Sequence, residues 1–483
     1  MYEETFKSID NFLWKDAGCD SELDYIEQTS WILFLKYLDD YENDKETAAL
    51  LNGVDYKRII DNKYRWNNWA YPVKEDGSLN IDELKTGSDL VNFVNQILFP
   101  YLRKFKDNDI DPKTIKYKIG EIFSEVRNRI ESGYTIRSVI DKVNTLTFLK
   151  NDEKFELSNL YEDKIKNMGN AGRTGGQHYT PRPLIRSIVK VIKPSIGETI
   201  YDGACGSCGF FCEAYTFMLN SKELSASEFV KLQKETFFGK EKKSLGYIIG
   251  IMNMILHGIE SPNIIHTNTL TENLANIQQK DRFDIILANP PFGGSERNTI
   301  QQNFPIKSSE TAYLFLQHFL KILKAGGRSG IVIKNTFLSS TDNASIQLRK
   351  QLLTESNLYA ILDLPKVFGK TGVETVVLFF EKGSVTEEIF YYQLNPGRNI
   401  GLTNPLNDEE LKEFNEYIFT RKESKNSWLL NIDQINSETW DLKVENPNTV
   451  EEIDTRTPNE IISEIEDIDR EAKEALYQIK GLI

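Results

Sequence analysis

The sequence predicts an α/β protein in which the strands of an open, mainly parallel sheet alternate with helices over residues 199–380, with helical segments before and after. Two observations favour this class: one apolar run ends in an acidic residue and a glycine-rich turn, and another ends in Asn-Pro-Pro-Phe. Ligands of open α/β sheets bind at the carboxyl ends of strands, so both endings are candidate binding residues. At 483 residues, the chain is long enough for several domains.

The composition excludes some classes of protein. Hydrophobic residues make up 40% of the chain, and no apolar run is long enough to cross a bilayer, so we expect no membrane association. The N-terminus lacks the basic and apolar regions of a signal peptide, and four cysteines fit a reducing compartment, which predicts a cytoplasmic protein. The net charge of −14 argues against a protein that grips nucleic acid unaided over a broad basic face.

Residues 1–165 are predicted to form a helical domain. Apolar residues recur there at helical intervals between charged ones, for example Leu23, Ile26, Trp31, Leu33, Phe34, Tyr37 and Leu38. A turn-rich stretch further along contains the aromatic residues Trp66, Trp69 and Tyr71. These three either pack in a core or an interface, or stack on the bases of a nucleic acid.

A polar, glycine-rich stretch at residues 167–176 predicts a linker or a lid. It leads into Gln-His-Tyr-Thr-Pro-Arg-Pro at residues 177–183, after which the apolar spacing predicts a helix. Pro183 suits a first helical turn, where free backbone N–H groups could receive a carboxylate. An ordinary helix start explains the same pattern.

The strand Thr199–Tyr201 is followed by Asp202 and a glycine-rich turn at residues 203–209. An acid and a flexible turn before a helix let a small ligand approach the backbone closely. The turn lacks the Lys-Ser/Thr of a phosphate-binding loop, and its glycines do not follow the dinucleotide-binding spacing. The Cys-x2-Cys-x3-Cys pattern at residues 205–212 has no fourth zinc ligand nearby, so we expect reduced thiols and no metal site.

A second strand, Thr236–Gly239, is followed by Glu241, and a third is predicted at Asn263–His266. An acid after the second strand of a nucleotide-binding α/β sheet can accept hydrogen bonds from both ribose hydroxyls. Glu241 could also be a solvated charge, because it lies in the sequence Lys-Glu-Lys-Lys. Further strands are predicted later in the chain, at Ser329–Ile333, Tyr359–Leu364 and Thr375–Phe380.

The run Ile285–Ala288 predicts a buried strand, which the two prolines after Asn289 bring to an abrupt end. An amino group conjugated to an aromatic base is a poor nucleophile, because its lone pair is delocalised into the ring. The side-chain oxygen of Asn289 and the carbonyl of Pro290 could accept its two hydrogens and so favour attack by the nitrogen. Phe292 could stack on the base, and residues 293–309 could form a mobile lid over it. The alternative is a strand with a plain proline turn.

Several motifs carry a resemblance to a known family. Asn-Pro-Pro-Phe after an Asp-containing apolar strand resembles the catalytic motif of DNA amino-methyltransferases, which act more often on adenine N6 than on cytosine N4. Gly-Gln-His-Tyr-Thr-Pro and Asp-Gly-Ala-Cys-Gly-Ser-Cys-Gly-Phe resemble the motifs that bind S-adenosylmethionine in that family. Residues 12–14 and 32–38 are similar to the helical front end of modification subunits of type I restriction–modification systems. The chain resembles such a subunit over nearly its whole length.

The resemblance implies a seven-stranded, class I S-adenosylmethionine-dependent methyltransferase sheet, and it implies site residues. The implied catalytic residues are Asn289, Pro290, Pro291 and Phe292. Phe292 and Phe368 would stack on the target base, although Phe368 could equally belong to the core. The implied cofactor-binding residues are Gln177, His178, Tyr179, Thr180, Pro181, Arg182, Asp202, Ala204, Gly206, Ser207, Gly209, Glu241, Asn268 and Thr269.

The implied organisation has four parts: a helical domain at 1–165, a catalytic domain at 166–385, a helical extension at 386–455 and a coiled-coil helix at 456–483. The last part depends on a capping box that begins at Thr457 and on an apolar seam formed by Ile461, Ile465, Ile468, Ala472, Ala475, Ile479 and Leu482. This seam either folds back on its own domain or packs against a partner. In the family that the chain resembles, the partner would be the specificity subunit.

The resemblance implies methylation of adenine N6 in a specific sequence of double-stranded DNA, with the adenine flipped out of the duplex. A separate specificity subunit would read the sequence, which agrees with the acidic charge of this chain. The resemblance further implies two modification subunits per specificity subunit, a restriction nuclease/translocase subunit as an additional partner, and a cytoplasmic location in a bacterium or archaeon.

Three alternatives stay open from the sequence: methylation of cytosine N4, methylation of a protein glutamine, and an assembly subunit that is impaired in catalysis. The last is suggested by two departures from the cofactor motif. Gly203 stands where the family usually has proline, and Cys208 stands where it usually has glycine.

Overall fold

The structure is a computed structural model, and it describes residues 2–74, 76–107, 110–111, 114–146, 151–169, 179–259, 262–368, 373–401, 404–448 and 457–480. The strands are β1 (Ile200–Asp202), β2 (Phe237–Glu241), β3 (Asn263–His266), β4 (Phe283–Ala288), β5 (Leu323–Lys334), β6 (Ser356–Leu364), β7 (Thr375–Lys382), β8 (Glu388–Gln393) and β9 (Ser427–Asn431). They form one sheet in the order β3-β2-β1-β4-β5-β7-β6-β8-β9.

The α-helices of the described residues are distributed over the whole chain. They are α1 (Tyr2–Trp14), α2 (Glu22–Leu51), α3 (Trp66–Trp69), α4 (Gly87–Asn92), α5 (Phe99–Arg103), α6 (Ile115–Glu125), α7 (Gly133–Asn144), α8 (Asn151–Gly169), α9 (Arg182–Ile192), α10 (Gly209–Leu219), α11 (Ala226–Lys234), α12 (Ser244–Leu256), α13 (Asn298–Gln301), α14 (Thr311–Ile322), α15 (Asn343–Glu355), α16 (Lys412–Thr420) and α17 (Pro458–Lys480). The N-terminal region is helical, as the sequence predicts.

The turn-rich stretch of this region packs inside it. Trp66 and Trp69 are fully buried and meet edge-to-face, with their ring centroids 5.8 Å apart. The indole N–H of Trp66 donates to the side-chain oxygen of Asn144, at 2.8 Å. The two tryptophans therefore belong to the core, which decides against a role in stacking on nucleic-acid bases.

The sheet has the predicted class but more strands than predicted. Strands β1 to β5 run parallel to one another. Strand β7 runs antiparallel to both of its neighbours, β5 and β6. The segment 386–455, predicted as a helical extension, adds β8 parallel to β6 and β9 antiparallel to β8. Over the residues that the structure describes, the sheet thus has nine strands and not the predicted seven. The aromatic and β-branched residues of β8 favour a strand, and their pairing covers the edge of β6 that would otherwise be open.

Two hydrophobic cores cover the two faces of the sheet. Alternate residues of β4 divide between them, because successive side chains of a strand point to opposite faces. Ile285 and Leu287 pack with α9, α10, α12 and the helical N-terminal region. Ile286 and Ala288 pack with α14 and α15. The strand that precedes Asn289 is therefore held from both sides.

The last described helix, α17, begins with the predicted capping box: the side chain of Glu460 accepts hydrogen bonds from the amide and the hydroxyl of Thr457. Ile465 and Ile468 of the predicted seam are more than half exposed, at 60% and 65%. Among the residues that the structure describes, none of the helices is both long and apolar enough to cross a membrane.

Arg349 of α15 ties the C-terminal segment to the sheet. Its guanidinium is buried and donates to four backbone carbonyls, those of Phe337, Ser340, Thr439 and Trp440, at 2.7–2.9 Å. If the side chain were removed, all four carbonyls would lose this hydrogen bond, and only that of Ser340 would keep another side-chain donor among the described residues, the hydroxyl of Ser345.

We expect Arg349→Ala to lower the free energy of unfolding by about 3 kcal/mol, because it leaves a cavity and several unpaired buried carbonyls. Urea denaturation measures this change. The adjacent, exposed Lys350→Ala is the control and should change the value by less than about 0.5 kcal/mol. Equal effects of the two substitutions would contradict the role given to Arg349.

Candidate active site

The carboxyl ends of β1, β2 and β4 meet at one edge of the sheet and border a cleft of about 260 Å³. Among the residues that line this cleft are Ala204, Glu241, Asn268, Thr269, Asn289 and Pro291. A narrower gap of about 20 Å³ is also bordered by Asn289 and is lined in part by Thr180, Asp202, Ala204, Gly206, Ser207 and Gly209. Most of the residues predicted from distant motifs therefore lie around one point.

Asn289 lines both spaces, and its side chain is hydrogen-bonded to Thr180. Its side-chain NH2 donates to the hydroxyl of Thr180, at 2.8 Å. Its side-chain oxygen is buried and has no hydrogen-bond partner among the described residues. An unpaired buried acceptor costs about 1–3 kcal/mol, so the fold maintains an oxygen that is ready for a donor.

The two predicted stacking residues contact each other. The rings of Phe292 and Phe368 meet edge-to-face, with centroids 4.9 Å apart and planes at 70°. Phe368 is buried and Phe292 is half-buried. A base ring would fit between them only after the pair separates, so their stacking role stays a prediction.

Asp202 ends β1 in a fully buried position and accepts a hydrogen bond from the amide of Ala204, at 2.9 Å. Burial raises the pKa of Asp202 to about 8; the bond from Ala204 opposes this rise, and the nearby charge of Glu241 adds to it. The carboxyl group is therefore largely protonated at neutral pH. A bound cation would favour its ionised form.

Glu241 and Thr269 support the glycine-rich turn as well as lining the cleft. The carboxylate of Glu241 accepts from the amides of Gly206, at 2.9 Å, and Lys243, at 2.7 Å. The hydroxyl of Thr269 donates to the carbonyl of Gly203, at 2.6 Å. A carboxylate can accept about four hydrogen bonds, so Glu241 keeps capacity for ribose hydroxyls.

The structure describes only part of the segment at residues 177–183, which precedes the glycine-rich turn. Gln177 and His178 lie outside the described residues, while Tyr179 is half-buried and Pro181 caps α9. The guanidinium of Arg182 donates to the carbonyl of Gly209, at 2.7 Å, and pairs with Glu162. Arg182 therefore contacts the turn from outside the cleft.

The predicted lid folds against the cleft. Ser295 forms an antiparallel bridge with Glu310, and the amide of Glu296 donates to the carbonyl of Ser309, at 2.9 Å. Asn303, near the middle of the loop, donates to the carbonyl of Leu270, at 3.1 Å. These contacts place Ser295 and Glu296 beside Asn289 and Glu241 in the lining of the cleft.

The residues fit S-adenosylmethionine, whose ammonium and sulfonium are both cationic. Asp202 lies beside the narrow gap with a carboxyl group that a cation would ionise. Glu241 lines the adjoining cleft, and Gly206 lines the narrow gap together with Asp202. The chemistry of these groups therefore agrees with the cofactor that the sequence predicts.

Comparison with known proteins identifies the family. A family model described as N-6 DNA Methylase matches residues 152–456, and one described as HsdM N-terminal domain matches residues 3–143. The type I restriction enzyme EcoEI methylase subunit of Escherichia coli is 33% identical over 493 aligned positions, which cover 99% of this chain and 96% of that protein. This chain belongs to the family of type I restriction methylase subunits.

Solved structures agree with this assignment. A chain from a study of complex assembly and conformational transition in a type I restriction–modification system is 34% identical, with a TM-score of 0.79 and coverage of 99% of this chain and 97% of that one. The methyltransferase subunit from the type I system of Streptococcus thermophilus, at 19% identity, has a TM-score of 0.64 over 93% of this chain and 99% of its own, and supports the fold alone. Membership of the N-6 DNA methylase family decides for adenine N6 over cytosine N4 and protein glutamine.

Both departures from the cofactor motif are accommodated in this methylase subunit. A Cβ at position 203 would lie only 3.1 Å from the side chain of Thr269 and from the hydroxyl of Tyr201, so Gly203 suits tight surroundings. The sulfur of Cys208 packs against α12, where a Cβ on Gly250 would lie 2.7 Å from it. Cys205, Cys208 and Cys212 are buried free thiols.

Three residues of the methylase subunit that contact this region are not predicted from the sequence. Asn253 donates from its side chain to the carbonyl of Ser207, at 2.8 Å, and His257 and Glu162 lie behind it. The Asn253–Gly258 segment does resemble the type I family, which was the one available signal. Nothing in the local sequence around Glu162 indicates a role at the site.

We expect Asp202→Asn to stabilise the protein without cofactor, by an amount that grows between pH 5 and pH 8. The carboxyl group of Asp202 has a higher pKa in the folded protein, about 8, than in the unfolded chain. As the pH rises above the pKa of the unfolded chain, the parent protein therefore loses folding free energy, by up to about 1.4 kcal/mol per pH unit. The loss levels off above the folded-state pKa. Thermal denaturation of both proteins at several pH values measures the difference. The same substitution at the exposed Asp107 is the control. A pH-independent difference at Asp202 would contradict the assignment.

Proposed function

We propose that this protein transfers a methyl group from S-adenosylmethionine to N6 of an adenine that has been flipped out of duplex DNA, as the modification subunit of a type I system. The observation that carries the proposal is the buried, unpaired side-chain oxygen of Asn289 at the carboxyl end of β4. Asn289 lines both the cleft and the narrow gap, so this oxygen could accept a hydrogen bond from a group bound there.

The chain's residues act on the amine. The oxygen of Asn289 and the carbonyl of Pro290 accept the two amino hydrogens, which withdraws the lone pair from the ring and makes the nitrogen more nucleophilic. The NH2 of Asn289 donates to the hydroxyl of Thr180, and the amide oxygen is left to accept from the substrate. An amide oxygen is a weak base, so the nitrogen loses its proton only after the methyl group has arrived. Phe292 and Phe368 stack on the ring of the flipped adenine.

S-adenosylmethionine, when bound, supplies a methyl group activated by a sulfonium, so transfer needs no covalent intermediate on the protein. Asp202, together with the turn at Gly206, would hold the methionine part, and Glu241 would hold the ribose. Asn268 and Thr269 line the cleft and would border the adenine of the cofactor. Thr180 lines the narrow gap on the α9 side, next to Tyr179. The rest of the proposed set is Gln177, His178, Pro181, Arg182, Ala204, Ser207 and Gly209.

DNA recognition is delegated in this proposal. The net charge of −14 leaves little general attraction for phosphates, so the specificity subunit would supply most of the grip on the duplex. The exposed apolar residues of α17 are the proposed contact with that subunit. We expect two modification subunits per specificity subunit, and a nuclease/translocase subunit as an additional partner. The domain boundaries at 165, 385 and 455 stay predictions.

We expect Asn289→Ala to lower methylation of duplex DNA at least about 100-fold, because the amine loses an acceptor that acts most strongly in the transition state. Mass spectrometry of nucleosides from DNA treated with the assembled complex measures N6-methyladenine. Calorimetry with S-adenosylmethionine should show a dissociation constant within a few-fold of the parent. Asn220→Ala, at an exposed position at the end of α10 that lies away from the glycine-rich turn, is the control and should leave both values unchanged. Near-normal methylation by Asn289→Ala would refute the proposal.

The docking role of α17 has its own test. We expect Ile465→Glu combined with Ile468→Glu to abolish co-purification with the specificity subunit, because two charges would be buried in an apolar seam. Binding of S-adenosylmethionine should not change. Ser463→Glu adds a charge on the same helix outside the seam and should leave assembly intact. Intact assembly of the double variant would show that the seam packs elsewhere.

A further inference from the structure

The glycine-rich turn that carries the proposed cofactor site has a strained backbone. Cys208 adopts a left-handed conformation, with φ 58° and ψ 27°. For a residue other than glycine this conformation costs about 1–2 kcal/mol. The neighbouring Gly206 is also left-handed, with φ 49°. The turn therefore holds its shape only if other groups fix it.

Two side chains fix the carbonyls on either side of Cys208. The NH2 group of Asn253 donates to the carbonyl of Ser207, at 2.8 Å, and the guanidinium of Arg182 donates to the carbonyl of Gly209, at 2.7 Å. Both donors come from helices behind the turn, α12 and α9. The turn is thus held from the side that faces away from the cleft.

Glu162 joins the two supports. Its carboxylate pairs with Arg182 and lies 3.1 Å from Nε2 of His257. The other ring nitrogen of His257 lies 2.8 Å from the backbone carbonyl of Asn253. The side chains of Glu162, Arg182 and His257 are 11–15% exposed, so water screens this network weakly.

The charges of the network agree with its geometry. Burial disfavours the imidazolium of His257, but Cys212 and Glu162 beside it outweigh burial and raise its pKa to about 10. Burial likewise opposes the charge of Glu162, but Arg182 and His257 outweigh it and lower the pKa of the carboxyl group. At neutral pH, one carboxylate therefore lies between two cations.

Glu162 belongs to α8, which packs against the helical N-terminal region. The hydroxyls of Tyr161 and Ser30 lie 2.6 Å apart and connect α8 to α2 in a buried position. A shift of α2 relative to the sheet would therefore move the carboxylate that holds Arg182 and His257. Glu162 is therefore one direct link between the helical region and the groups that hold the cofactor turn.

We propose that Glu162 is a positioning residue for cofactor binding: through Arg182, and through His257 and Asn253, it holds the 203–209 turn in the shape that receives S-adenosylmethionine. The inference rests on the proposed cofactor site. It assigns to the N-terminal helical region, through α8, control over cofactor affinity.

Calorimetric titration of the full chain with S-adenosylmethionine tests the proposal. Glu162→Gln keeps the shape of the side chain and removes the charge that holds both cations, so we expect about tenfold weaker binding, or about 1.4 kcal/mol. Asp163→Asn makes the same chemical change at the next residue, which is exposed, and should bind within about twofold of the parent. Equal affinities of the two variants would overturn the proposal.

A second measurement separates positioning of the turn from general stability. Cys205 and Cys208 lie in the turn and Cys19 lies in the helical region, and all three thiols are buried. Under native conditions, Glu162→Gln should raise the rate at which N-ethylmaleimide labels the two turn thiols about tenfold, while Cys19 stays unchanged; peptide mass spectrometry reads each site. A parallel rise at Cys19 would indicate general destabilisation and overturn the proposal, as would unchanged labelling of the turn.

The two proposals fail in different ways. If the parent protein does not bind S-adenosylmethionine, the proposed cofactor site is wrong. The labelling of Cys205 and Cys208 in Glu162→Gln still decides whether Glu162 holds the turn. If the parent binds and the variant binds equally well, only the role of Glu162 is wrong.

Discussion

The proposed methyltransferase site depends on one buried oxygen, that of the Asn289 side chain, which has no hydrogen-bond partner among the described residues. Hydrophobic packing on both faces of β4 fixes the strand, two prolines fix the chain after it, and Thr180 fixes the amide of Asn289. The unpaired oxygen costs about 1–3 kcal/mol, which is a noticeable fraction of the net stability of a domain. A donor that enters the site removes this cost. The amine of a flipped base is such a donor, and its hydrogens become more acidic as the nitrogen is methylated, so the interaction strengthens in the transition state.

Asp202 is a second buried group that a ligand would stabilise. Burial raises the pKa of its carboxyl group to about 8, so the group is mostly neutral without ligand, and a bound cation would favour its ionised form. The turn beside it is strained at Cys208 and is held by donors from α9 and α12, which Glu162 connects to the helical region. The site is thus assembled at a cost to stability, and packing outside the catalytic sheet offsets that cost.

The sequence predicts the parts of the site that depend on local pattern. Strand ends, the acid of β1 and the Asn-Pro-Pro-Phe motif are short-range features, and the structure brings Asp202, Glu241 and Asn289 together at one edge. Three features of the structure cannot be predicted from local sequence patterns. Strands β8 and β9 form because β6 offers an open edge, which is a property of the tertiary structure. The contact of Glu162 with Arg182 joins different elements, and no spacing rule encodes it. Phe292 and Phe368 pack directly against each other in this structure, and the sequence alone does not predict this contact.

The contact between Phe292 and Phe368 is weak enough for a base to replace it. An edge-to-face pair contributes about 0.5–1.5 kcal/mol beyond the area it buries, whereas stacking of a base on one aromatic side chain contributes about 1–3 kcal/mol. Exchanging the contact between Phe292 and Phe368 for contacts with a flipped adenine is therefore neutral or favourable. Extrusion of the adenine costs a few kcal/mol, which the stacking exchange and the filled acceptor on Asn289 together can offset. Little binding free energy remains for the duplex itself, which agrees with the proposal that a partner of this acidic subunit holds the DNA.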